Sequence, residues 1–211
     1  LLAGTQHGEA PFPPPQGQGQ QAANPTPQVA VMHALLRGAD AWVRHGTPPP
    51  PSRYPRLSDG SLVPLTSLRF PRLPGLSDPQ TVEGPGRLID GRFTPLPFLV
   101  SRVDEDGNET AGIRVPDVAV PLATVTGWNF RAPAVGNAGT LFALLGSYVP
   151  LPATRAARER AGDPRRAATE RYRDEADYLT RIRAAFDALV RERYLLAEDL
   201  ESVLGLSLIH I

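Results

Sequence analysis

The sequence predicts a mixed α/β chain, and three observations carry that prediction. It opens on the apolar run Leu1-Leu2-Ala3, which breaks into the small-residue loop Gly4-Thr5-Gln6-His7-Gly8, as a buried parallel strand does at its carboxyl edge. A long helical period follows over Gln28–His45. Strand and hairpin signals then fill residues 97–125, and the last third of the chain is helical in pattern.

Each element has its own reason. Residues 11–27, PFPPPQGQGQQAANPTP, have no periodicity and read as a loop. In the helix from about Gln28 to His45, Met32, Leu36, Ala39 and Val43 repeat at helical spacing, and Leu35 and Trp42 widen the stripe. His33, Arg37, Asp40 and Arg44 are expected on the opposite, solvated face. Gly46 is placed to cap the helix, and Pro48–Pro51 stops it. From there to about Pro97 the chain is broken by proline; 18 of its 24 prolines precede residue 100, so extended segments and turns lying on another surface are expected. Phe98–Val103 and Glu109–Val115 flank the turn Asp104–Asn108 as a hairpin, and Val118–Val125 is a further expected strand. Asp163-Pro164 reads as a helix start. Leu179, Ile182, Phe186 and Leu189 form an apolar stripe with Tyr178 and Ala185, and Leu196, Leu200 and Val203 suggest a short last helix.

Composition removes several function classes. Twenty-two arginines (there is no lysine) balance 22 acidic residues, which disfavours a general nucleic-acid or anionic-membrane binder. With no cysteine, disulfides, thiolate zinc sites and cysteine nucleophiles are excluded. The four histidines, His7, His33, His45 and His210, lack metal-ligand spacing, and no cofactor is implied. The most apolar stretch, near Leu141–Pro152, is too short and interrupted to cross a bilayer. The arginine-only usage with abundant Ala, Gly and Pro suggests a GC-rich bacterial source.

The residue with chemistry to offer is His7. The sheet fixes its backbone, the loop exposes its ring, the glycines leave room for a substrate, and imidazole titrates near neutrality as a general base must. The competing reading is a loop histidine that meets only solvent or a carbonyl. Asp104, Asp106 and Asn108 resemble the start of a calcium loop, but Gly107 is misplaced and no bidentate glutamate follows, so a hairpin turn is expected. Ser147, in Leu145-Gly146-Ser147-Tyr148, lacks the spacing of a nucleophile elbow. Trp128 and Asn129 fit a turn-and-core role better than a pocket. Residues 153–193 carry eleven arginines and eight acids, a solvated helical surface with mixed ion pairs.

GTQHG (4–8), a loop, Asn24-Pro25, and an amphipathic helix ending AWVRHGTPPPPSRYP (41–55) together resemble a bacterial family of large α/β-hydrolase-domain proteins. The resemblance continues through residues 103–131 and 146–165. It implies that the chain is the C-terminal fragment of an α/β-hydrolase fold: last strand, catalytic-histidine loop and closing helix in residues 1–46. A Pro-rich irregular segment (47–97) and a hairpin-plus-helical extension (98–205) follow. Residues 206–211 match the translated end of a sequencing-library adapter, so His210 is set aside; with no starting methionine, truncation at both ends is expected. In such hydrolases the triad runs Ser, acid, His, which places His7 as the base. No G-x-S-x-G occurs in the 211 residues, so nucleophile and acid are expected upstream of Leu1 in the same chain, and the fragment alone is expected to be inert. The implied function is a serine esterase-type acyl hydrolase acting on a small-molecule ester, with neither nucleic acid nor membrane as partner. The alternative is a non-catalytic interaction extension on an inactive hydrolase-like scaffold.

Overall fold

The computed structural model describes residues 1–77, 86–96, 98–142 and 144–208. Its centre is a three-stranded antiparallel sheet in the order β1 (Ala22–Ala23), β7 (Ser147–Pro150), β6 (Ala123–Thr126). All four residues of β6 are buried, and Thr126 pairs with Ser147 while Ala123 pairs with Pro150. There are two smaller antiparallel pairs: β2 (Leu62–Pro64) with β5 (Leu99–Ser101), and β3 (Gly86–Ile89) with β4 (Arg92–Pro95).

The parallel pairing expected of the first residues is present in its smallest form. Ala3 N–H donates to Ile113 O (3.0 Å) and Ile113 N–H donates to Leu1 O (2.8 Å), with no longer strand. The expected hairpin also forms over its turn: Asp104 N–H donates to Asn108 O at 2.8 Å, and Val103 bridges Glu109. One further contact joins the arms, Thr110 N–H donating to Arg102 O at 3.0 Å, and beyond it the first arm continues as β5, which pairs with β2 instead.

Two expected elements are corrected. Val118–Val125 is not one strand: Pro116–Ala119 winds into a short helix, α2, with Pro116 at its start, and the strand begins only at Ala123. Asp163-Pro164 starts no helix. The helix α3 (Arg155–Ala161) ends just before it at Gly162, α4 spans Ala168–Arg171, and α5 (Glu175–Arg191) begins at Asp174, whose carboxylate caps Asp177 N–H at 2.8 Å. Asp163 is spent elsewhere. Its carboxylate accepts from Arg165 N–H (2.9 Å) and from the Arg165 guanidinium (2.6 and 3.0 Å). That guanidinium is buried, and its remaining N–H groups reach Thr124 Oγ1, Val149 O and Pro150 O at 2.8–3.0 Å, so all five donors are used. Burial works against ionisation of Asp163, but the Arg165 hydrogen bonds outweigh it and hold the carboxyl below its ordinary range.

Of the expected stripe, Tyr178, Ile182, Phe186 and Leu189 are buried and Leu179 and Ala185 are half-buried, and α6 (Leu200–Leu208) supplies Val203 and Leu204 to the interior. One apolar core joins Ala3, Val31 of the first helix, Ile113, Val118, Val125, Phe186 and Val203. The proline-rich segment lies on the end of α5: Arg193 and the Tyr194 hydroxyl donate to Pro48 O and Pro51 O, and Arg53 stacks over the Tyr194 ring at 4.6 Å. Of the adapter-like end, residues 209–211 lie outside the described residues.

The first helix, α1 (Val29–His45), ends at Gly46 as expected, in the left-handed conformation (φ 68°). Its orientation is the larger surprise. Val31 and Ala34 are buried and Leu35 packs on the core, whereas Met32, Leu36, Trp42 and Val43 of the expected stripe are 57–85 % exposed. The small side chains let the helix lie close to the core, and the larger apolar face points away from the described residues. Periodicity locates an amphipathic helix but does not choose between two apolar faces.

Asn24 ties these parts together. Wholly buried, its amide donates to Gly4 O (2.6 Å) and Thr126 O (3.0 Å), and its Oδ1 accepts from Thr26 N–H (2.8 Å) and Thr26 Oγ1 (2.6 Å). Asn24→Ala strands two buried carbonyls and an N–H, so it should cost about 3 kcal/mol. Urea unfolding checks this; a loss below about 0.5 kcal/mol, the range of surface substitutions, contradicts the assignment.

Candidate active site around His7

The chain enters the His7 loop through Gly4 at φ +66°, a conformation open to glycine, and a Cβ there would stand 3.0 Å from Val125 O. On the near side of His7, the Gln6 amide donates to Gly8 O (2.7 Å) and to Asn24 O, while Gln6 O accepts from Gln28 Nε2 at 3.0 Å. On the far side, the Glu9 carboxylate accepts from Gln28 N–H (2.7 Å) and Val29 N–H (3.4 Å). Glu9 therefore does for α1 what its own first turn, which has no acid and no side-chain cap, does not: it satisfies orphan N–H groups and places a negative charge at the positive end of the helix. His7 is held between two anchors on the N-terminus of α1, with its ring exposed and without a hydrogen bond among the described residues.

The other sequence candidates fall away from this loop. Ser147 is fully buried and its hydroxyl donates to Trp128 O at 2.7 Å, a structural bond. His33 is exposed, 3.5 Å from Asp199, and His45 lies at the opposite end of α1, about 25 Å away at 1.5 Å per residue. The Asp104–Asn108 turn is a hairpin whose two aspartates are already paired: Asp104 with Arg114 (2.8 Å) and Asp106 with Arg171, while Asn108 bonds Ala123 O and Val125 N–H and Glu105 is exposed. Among the described residues no group of three His, Asp or Glu side chains is arranged to hold a metal. No helix among them is long and apolar enough to cross a membrane. Asn129 is buried and structural, bonding Gln21 and Gly146 O, as expected of a turn-and-core residue. Its neighbour Trp128 does line a pocket.

That pocket is a cleft of about 980 Å³, counting its open mouth, and no motif in the sequence marks it. Leu65, Leu68, Phe70, Trp128 and Leu141 line it, with Ser101 and Glu109 as polar members. Glu109 joins it to the His7 strand, since its carboxyl accepts Gly4 N–H at 3.0 Å. Burial pushes the Glu109 carboxyl above its ordinary range, against the hydrogen bonds from Gly4 and Ser101, which favour the charged form. Glu109 belongs to no motif; in the sequence it is only the first residue of a hairpin arm.

The chain matches the alpha/beta hydrolase domain family over residues 2–205, and it belongs to that family. Its mixed α/β architecture, with small sheets and helices around one core, agrees with that membership. Neither the curated proteins nor the solved structures provide a match to it.

The raised carboxyl sets a pH dependence. A glutamate protonated more readily in the folded than in the unfolded chain contributes stability below its unfolded pKa, near 4.3, and loses it as pH rises through the folded value. Glu109→Gln keeps an acceptor for Gly4 N–H and cannot ionise. Relative to the parent, the variant should gain stability between pH 4 and pH 7, by about 1.4 kcal/mol for every tenfold by which folding weakens the acid. Paired urea titrations at the two pH values measure this, and parallel pH trends for both proteins contradict it.

Proposed function

We propose that the chain is the C-terminal part of a serine hydrolase that cleaves a small carboxylic ester, with His7 as its proton-transfer residue. The observation that carries this reading is the His7 loop: backbone anchored on both sides to the start of α1, ring free toward solvent. Membership in the alpha/beta hydrolase domain family supports the reaction class.

The chemistry follows from the imidazole. A serine supplied by chain upstream of Leu1 attacks the ester carbonyl carbon while His7 takes the hydroxyl proton. The imidazolium then protonates the leaving alcohol, and an acyl-enzyme remains. Water attacks that acyl group, His7 takes its proton and returns it to the serine oxygen, and the carboxylic acid leaves. A carboxylate, also from upstream, holds the imidazole in the productive tautomer.

The outward face of α1 supports an upstream partner surface. Met32, Leu36, Trp42 and Val43 are large, apolar and uncovered by the described residues, and each would gain roughly 1.5–3 kcal/mol on full burial. In this reading they pack against the sheet that carries the nucleophile, which brings that sheet beside the helix whose first turn holds His7.

The test is fluorophosphonate labelling of the longer product encoded with its upstream sequence, followed by ester turnover. His7→Ala should lower turnover at least 1,000-fold with an unchanged melting midpoint, while Leu36→Ser with Val43→Ser should lower the midpoint. A folded product that never labels, or full turnover in His7→Ala, overturns the proposal and leaves the chain a non-catalytic scaffold.

A further inference from the structure

We infer that the cleft between Phe70, Trp128 and Glu109 is a binding site for a small apolar ligand bearing a cationic amine. It is a separate site from the proton-transfer chemistry assigned to His7, and the inference does not depend on that chemistry.

The argument starts from the carboxylate. An ionised glutamate can accept about four hydrogen bonds. Glu109 receives one from Gly4 N–H at 3.0 Å and one from the Ser101 hydroxyl, both neutral donors, and no arginine pairs with it among the described residues. Glu109 is half-buried, and the two fully buried acids contrast with it: Asp163 has Arg165 and Asp106 has Arg171. Arg69 and Arg102, whose chain neighbours line the cleft, make no ion pair with it, and two further arginines are engaged elsewhere. Arg114 is held by Asp104 and Val118 O, and Arg131 by the carbonyls of Val135 and Gly136. Burying a carboxylate without a cation is costly, and a ligand that brings a positive charge removes that cost.

The rest of the cleft selects what surrounds the charge. The Trp128 and Phe70 rings stand 5.6 Å apart, and Leu65, Leu68 and Leu141 complete an apolar lining. Aromatic faces attract an ammonium and also pack against an aryl or branched aliphatic body. The space within the cleft, about 360 Å³, suits a small molecule rather than a peptide segment. An anionic ligand would meet the like charge of Glu109, and a neutral one would leave the carboxylate uncompensated.

Calorimetric titration of the 211-residue chain at pH 7.5 with 2-phenylethylamine, 2-phenylethanol and 3-phenylpropionate separates the alternatives. The amine should bind at least tenfold more tightly than the alcohol, and the anion most weakly. In Glu109→Gln, amine affinity should fall at least tenfold while that of the alcohol holds. Trp42→Phe leaves Trp128 as the sole tryptophan, so a saturable change in its emission places the amine in this cleft. Equal affinity for amine and alcohol, no amine binding, or amine binding that leaves Trp128 emission unchanged overturns the inference. The amine–alcohol comparison requires no variant, so it decides even if Glu109→Gln fails to fold.

Discussion

Three buried asparagine side chains stand in for strands that this fold does not have. Asn24 bonds Gly4 O and Thr126 O, Asn108 bonds Ala123 O and Val125 N–H, and Asn129 bonds Gln21 and Gly146 O. A primary amide offers two N–H donors and a carbonyl acceptor, so it can close a ladder position from either side. Every buried backbone polar group needs such a partner, and a three-stranded sheet with a two-residue edge strand cannot supply them all. All three asparagines fasten β6 or the turn after it to a distant segment. The His7 loop, the hairpin and the long loop before α1 take their positions from β6 through them.

Arginine fastens the helical layer to the same strand. Arg165, wholly engaged, links Asp163 to Thr124 and to the carbonyls of β7, while Arg171 reaches Asp106 in the hairpin turn. A flat guanidinium with five donors can satisfy several carbonyls and a carboxylate at once, which an ammonium cannot. Such buried pairs add little net stability compared with apolar packing of the same volume, because both charges are desolvated. What they impose here is register: residues 163–171 can pack over β6 and β7 only where the carboxylates and carbonyls await them.

The elements legible from sequence are those set by a single local rule. Gly46 and Pro48–Pro51 end α1 by backbone chemistry alone, and the α5 stripe is buried because only one of its faces is apolar. The errors arise where a residue serves a distant partner. Asp163 reads as a helix cap until Arg165 claims it, and Val118 reads as a strand residue until Pro116 turns the backbone. The site divides in the same way. His7 is legible because glycines and a preceding apolar run mark its loop, whereas Glu109 becomes notable only because no arginine pairs with it among the described residues, which no sequence spacing encodes.

The first helix joins the fold to the site. Its inner face is small, with Val31 and Ala34 buried against the core, and its outer face is large and apolar. A helix with two apolar faces is stable between two layers, not on the surface of one. The side chains that fix its N-terminus, Glu9 and Gln28, are the ones that fix the backbone on either side of His7. In the proposed reading, a surface covering Met32, Leu36 and Val43 would therefore sit on the same rigid element that anchors the His7 loop. If His7 serves as the proposed base, its orientation relative to a nucleophile is a requirement of ångström scale, and a loop docked only at one end would not meet it. In the proposed reading, a layer packed on that helix would make the position of His7 a consequence of how the two layers assemble.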